Sequence, residues 1–203
     1  MTELKTIDAI RKRRSIRRYS GQPVPEEAIR EIIEAARLAP SGCNAQPWRF
    51  KVVTDRRQKV EITYAAHRQQ FIARAPVVIV CCAHIESYIN STVSTMQDLG
   101  RMGSIDKDSA RIICDSAEGM RTMSIEEIGP TVAINVGIAV EHMVLRALDF
   151  GLGTCWIRLL DEKRIKKIFG WGDELHVVNL LTVGYPAIEL GPQKRLPLED
   201  LLL

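Results

Sequence analysis

The chain has 203 residues, with 28 Lys and Arg against 25 Asp and Glu and a formal net charge of +3, too near balance for a general nucleic-acid binder. Hydrophobic residues make up 46% and charged residues 26%, an ordinary globular composition that excludes wholesale disorder. Length allows one domain or two small ones; no repeat or linker marks a boundary, so one domain over residues 1–203 is expected. Its core is large enough to need neither disulfides nor metals as staples. The charge is unevenly placed: six of the eight residues from Arg11 to Arg18 are Arg or Lys.

The opening MTELKTIDAIRKRR has no apolar stretch of the kind that marks a secretory signal. The longest purely apolar run, Ala75 to Ala83, is nine residues, against the ~20 that a membrane span needs. A soluble, cytoplasmic protein is the expectation. Cys43, Cys81, Cys82, Cys114 and Cys155 are odd in number and show no CxxC spacing, which argues against a disulfide framework, a zinc site or an iron–sulfur cluster. Cys81 and Cys82 end a Val-Ile-Val run and read as small buried hydrophobes.

A first helix is predicted over Lys5–Lys12. A second opens with Pro25 in its first turn, followed by Glu26 and Glu27 at the positive end of the dipole. It buries Ile29, Ile32, Ile33 and Ala36 and stops before Pro40. Arg49–Val53 reads as a strand and Val77–Cys82 as a fully buried one. Residues 86–123 read as helix and loop. The strongest helix follows Pro130: Val132, Val136, Ala139, Val140, Met143, Val144, Ala147 and Leu148 repeat at helical spacing on more than one face, so it is buried. Gly151 stops it, Thr154–Ile157 is a strand, Lys163–Phe169 a short amphipathic helix, and Val177–Val183 a buried strand. This order lacks regular βαβ alternation and favours α+β.

Four clusters are candidates for chemistry. In Arg13-Arg14-Ser15-Ile16-Arg17 the guanidinium groups suit an anionic ligand; in a helix, Arg13 and Arg17 would share a face, though a solvated basic helix end is the plainer reading. Pro40-Ser41-Gly42-Cys43-Asn44-Ala45-Gln46-Pro47-Trp48 has the donors to wrap a polar ligand, or is a plain turn. Gly151-Leu152-Gly153 follows a helix and precedes a strand, the reverse of a Rossmann phosphate loop. Lys194-Arg195-Leu196-Pro197-Leu198 forms a basic, then apolar, tail. Motifs for side-chain nucleophiles and metal hydrolases are missing, and His142 in the long helix reads as structural. A cofactor that carries the reaction fits this scarcity.

RRSIRRY, APSGCNAQPWRF, the long helix ending in LGTCW, then VGYP and KRLPLEDLL together resemble the FMN-dependent nitroreductase family in content and order. The resemblance implies an α+β fold with a central, mainly antiparallel sheet among helices, built as an intertwined homodimer with FMN at the interface. It places Arg13 on the FMN phosphate with Arg14 and Ser15 close by, and Arg17 near the N1/O2 side of the flavin ring. Pro40, Ser41, Gly42 and Asn44 would come from the other subunit. Trp156, Ile157 and Arg158 would approach the N5 edge through backbone, Asn135 would contact the flavin, and Arg195 would return to the phosphate. Lys12 and Arg18 would remain solvated surface. Arg158 adds a positive charge beside N5 that would favour anionic substrates.

The implied activity passes hydride from NADH or NADPH through flavin N5 to a nitroaromatic, quinone or similar electron-poor acceptor, with ping-pong kinetics. Fixed positive charge near N1 would stabilise the reduced flavin. Reductive dehalogenation or flavin fragmentation on the same fold is the alternative enzyme role. A non-enzymatic binder using Arg11–Arg18 on an acidic partner is the third reading.

Overall fold

The computed structural model describes residues 4–191 and 193–202; Met1 to Glu3, the start of the segment examined for a secretory signal, lie outside them. The helices are α1 (Thr6–Lys12), α2 (Glu26–Arg37), α3 (Arg56–Ala65), α4 (Phe71–Arg74), α5 (Ile85–Arg101), α6 (Lys107–Gly119), α7 (Ile125–Ala147) and α8 (Glu162–Phe169). The strands are β1 (Trp48–Val53), β2 (Val77–His84), β3 (Gly153–Ile157) and β4 (Leu175–Gly184), ordered β1-β2-β4-β3 with every pairing antiparallel. This is the expected α+β class. The segment 86–123 resolves into α5 and α6, started by His84, whose Nδ1 accepts from Ser87 N–H, and by Asp106, which accepts from Ser109 N–H.

The sheet separates two cores. Along β2, Val77, Ile79, Cys81 and Ala83 face the α2/α7 side, while Val78, Val80 and Cys82 face the side of α3 and α8, the two-residue alternation of a strand covered on both faces. The β2–β4 register shifts between Cys81 and Cys82. That bulge reverses the parity of β4, so that Val178, Leu181 and Val183 still face α7 while Val177 and Leu180 face α8. Cys81 and Cys82 are fully buried, as read, and burial together with nearby Glu162 pushes the Cys82 thiol up to about 12.

Two helix starts differ from expectation. Pro25 is the residue before α2 rather than part of its first turn. Helix α7 begins at Ile125, five residues ahead of Pro130, because Ser124 and Glu127 form a capping box there, with Ser124 N–H donating to Glu127 Oε2 at 2.7 Å. Pro130 is tolerated one turn in, where it removes a single N–H. The span Ile125–Phe150 is long and apolar enough to cross a membrane by length and composition, which a search for unbroken apolar runs does not detect. It is the core helix: Val132, Val136, Ala139, Val140, Met143 and Ala147 are all buried under α2 and the sheet. Gly151 takes φ +67° after its last turn, the left-handed stop that glycine adopts freely. His142 is structural, its Nδ1 3.3 Å from Ala35 O.

Candidate functional site

Helix α1 ends at Lys12, and Arg13 turns to ψ 131°, so the basic run is extended rather than helical. Arg13 and Arg17 therefore share a side through strand alternation, with Ser15 between them, and not through a helical turn. What fixes this is Ile16, buried on the opposite side. Its N–H donates to Thr154 O at 2.8 Å, and Ser15 pairs with Thr154 in a parallel bridge. Gly153 makes room: a Cβ there would lie 2.3 Å from Ile16 Cγ1. The arm is thus laid along the outer edge of β3. It is locked further on by Tyr19, whose hydroxyl donates to Ile16 O and lies 2.7 Å from Thr182 Oγ1, and by Ala187 N–H on Arg18 O.

The arm's cations have distinct surroundings. Arg13 Nε is 3.4 Å from Glu141 Oε1 on α7, and burial raises the Glu141 carboxyl although Arg13 and His142 oppose it. Arg17 holds its guanidinium 5.8 Å from the Phe71 ring centroid. Arg14 donates from Nη1 to Gly191 O, and Arg195 donates from Nη2 to Gln193 Oε1. The Nε atoms of both Arg13 and Arg14 are buried without a hydrogen-bond partner. Arg14 and Arg195 line one cleft of about 580 Å³ with Ile10, Arg11, Lys12, Leu190 and Gln193. Among the described residues no carboxylate lines it. A buried Arg14 Nε without a hydrogen-bond partner, beside a cleft lined by Arg11, Lys12 and Arg195, fits an oxyanion such as a phosphate.

On β3, Trp156 is half-buried against α7, where a Cβ on Gly137 would lie 3.8 Å from its ring. Ile157 turns its side chain into the α8-side core, so only its backbone is free to meet a ligand. Arg158 is exposed just past the strand end. Burial raises the Cys155 thiol, against the lowering effects of Arg17 and Ser15.

The loop after α2 forms a second group. Cys43, Asn44 and Gln46 adopt φ of 52°, 50° and 47°, a left-handed conformation that costs non-glycine residues about 1–2 kcal/mol each. Compensating hydrogen bonds hold it. Gly42 N–H donates to Asn135 Oδ1 at 2.8 Å, Gln46 N–H to Ser41 Oγ at 3.0 Å, and Asn44 N–H to Ser41 O at 3.0 Å. Ala45, Pro47 and Trp48 anchor the loop in the core, leaving Pro40, Gly42 and Asn44 exposed.

The structure thus assembles Arg13, Ser15, Arg17 and the β3 residues Trp156, Ile157 and Arg158 on one side, with Arg14 and Arg195 at the adjoining cleft. Asn135 joins Pro40, Ser41, Gly42 and Asn44 instead. No hydrogen bond or ion pair links the two groups among the described residues. Sequence reasoning missed Glu141 and Phe71. Glu141 left a trace, as a carboxylate in an otherwise apolar helix, but nothing in the sequence tied Phe71 to Arg17.

Known proteins agree with this architecture. A Thermus thermophilus protein named NADH dehydrogenase is 35% identical over 199 residues, covering 95% of this chain and 92% of that one. Bacillus subtilis FMN reductase (NAD(P)H) is 28% identical over 195 residues, 95% of this chain and 70% of its own. A protein from Exiguobacterium sibiricum assigned as a nitroreductase and solved in complex with FMN superposes with a TM-score of 0.78 at 24% identity, covering 100% of this chain and 98% of that one. Residues 10–185 match the profile of the nitroreductase family, and the chain belongs to that family.

Proposed function

We propose that this protein is an FMN-dependent NAD(P)H oxidoreductase of the cytoplasm, with residues 1–203 acting as one FMN-binding domain. The observation that carries the reading is the cationic cleft lined by Arg11, Lys12, Arg14 and Arg195, with no carboxylate among its described lining residues and the Arg14 Nε buried without a hydrogen-bond partner. Relatives named for NAD(P)H and FMN support it. Arg13, Arg14, Ser15 and Arg195 would hold the phosphate of FMN, each charge-assisted contact contributing ~1.5–3 kcal/mol. Arg17, kept in place by Phe71, would supply fixed positive charge on the N1/O2 side of the ring.

When bound, FMN supplies the two-electron chemistry, taking hydride at N5 from NADH or NADPH and passing it to a nitroaromatic, quinone or similar electron-poor acceptor. The chain's part is binding and electrostatics. Burial keeps Cys155 a thiol, and the backbone of Trp156 to Arg158 would line the N5 edge, with the charge of Arg158 favouring anionic acceptors. Donor and acceptor would occupy the same place in turn, giving parallel initial-rate plots.

We further infer a homodimer in which the strained loop of one copy, Pro40 to Asn44 with Asn135 behind it, completes the site on the arm of the other. Two observations support this: the separation of the two groups within one chain, and the exposure of the apolar side chains Ile134 (67%) and Ile138 (38%) on α7. The test is direct. Purified protein should be yellow and bleach on anaerobic addition of NADH or NADPH. Colourless protein that takes up no FMN on reconstitution overturns the reading.

A further inference from the structure

We infer that the cleft between the end of α1 and the C-terminal tail takes a second phosphate, the 2′-phosphomonoester of NADPH, so that the enzyme discriminates NADPH from NADH; this rests on the flavin reading above. The cleft holds more charge than a flavin phosphate requires. A phosphomonoester carries about −1.5 to −2 at neutral pH, which Arg14 and Arg195 in the cleft already offset. Arg11 and Lys12 are surplus, and both line the cleft.

Among the described residues, neither cation is tied up by a neighbouring carboxylate, in contrast to several exposed arginines elsewhere on the chain. The exposed Arg30, Arg37, Arg101, Arg111, Arg121 and Arg164 each pair with a carboxylate three or four positions away. Arg11 and Lys12 make no ion pair among the described residues, although Asp8 stands three and four positions earlier. They are cations left available. At about 580 Å³ the cleft falls within the ~300–1,000 Å³ typical of small-molecule sites, far more than one phosphate fills. Ile10 and Leu190, 49% and 41% exposed, give it apolar walls suited to a nucleoside, while Arg11 brings the forked donors that recognise a phosphomonoester. NADPH has that group on its adenosine ribose; NADH has a hydroxyl.

Two measurements on the flavin-loaded protein test this. By titration calorimetry, adenosine 2′,5′-bisphosphate should bind at least tenfold more tightly than 5′-ADP. In steady-state assays, kcat/KM should favour NADPH at least tenfold. The double variant Arg11→Gln/Lys12→Gln should lower kcat/KM for NADPH about tenfold, leave NADH within twofold, and keep wild-type FMN content. Equal donor preference in the wild type, a parallel fall for both donors, or loss of FMN from the variant overturns the inference. A flavin-loaded wild type without discrimination overturns this inference alone, whereas a protein that takes up no FMN overturns the flavin reading and this inference with it.

Discussion

Arg13 Nε is buried 3.4 Å from Glu141 Oε1, an ion pair without a hydrogen bond. Arg13→Ala and Arg195→Ala are each expected to weaken FMN affinity severalfold in a fluorescence-quenching titration. Unchanged affinity in both would refute the phosphate assignment. Gly153 is a sharper probe of position. A Cβ there meets Ile16 Cγ1 at 2.3 Å and Pro186 Cγ at 3.1 Å, so Gly153→Ala should destabilise by ~1–3 kcal/mol and loosen flavin by displacing the arm. Chemical denaturation and flavin content measure the two effects separately. The identities of these arginines were legible in the sequence, but their conformation was not. A run of cations has no hydrophobic period of its own, and Ile16 chooses the extended form only once β3 is present to receive it.

At the scale of elements, α7 carries candidate site residues on its sides while its body fills the core. Asn135 holds the strained loop through Gly42, and Glu141 meets the arm. Asn135→Ala removes the bond that holds the exposed Gly42 N–H and should cost about 0.5–1.5 kcal/mol while lowering catalytic efficiency through a loosened loop. Proteolysis of the 41–46 segment and differential scanning calorimetry would register both changes, and a rigid loop with an unchanged midpoint would contradict the assignment. Periodicity revealed most of α7, yet its first five residues were hidden by Pro130. The start depended on the reciprocal Ser124–Glu127 bonds rather than on apolar spacing. Likewise, the bulge that restores the inward parity of β4 depends on pairing with β2, a partner that no local window contains.

For the whole molecule, acid stability should depend on the lower end of the sheet. Burial pushes the Glu162 carboxyl up, but His176, the Val177 N–H and Lys166 outweigh it and hold it below its usual 4.5. A lowered carboxyl contributes stability above the unfolded value and loses it as pH falls through the folded one. Stability should therefore fall below pH 4.5, and Glu162→Gln should flatten that fall in denaturation midpoints measured across pH. Thiol accessibility gives an independent check on the packing. Cys43 and Cys114 are partly exposed, while Cys81, Cys82 and Cys155 are buried, so a thiol reagent should modify two cysteines in the native protein and five after unfolding.

The arm along β3 also sets the order of assembly during biosynthesis. Arg14 reaches a carbonyl 177 positions later, and Tyr19 a hydroxyl 163 positions later. Contacts that distant close late, because the chain between them must first be ordered. As synthesis proceeds from the N-terminus, the first residues to leave the ribosome wait longest for their partners. A nascent chain stalled before Tyr185 would have α1, the arm and the strained loop but nothing to hold Arg18, Ser20 or Arg14 in place. The protein should thus acquire its cofactor only after release, with the basic arm exposed until the tail arrives.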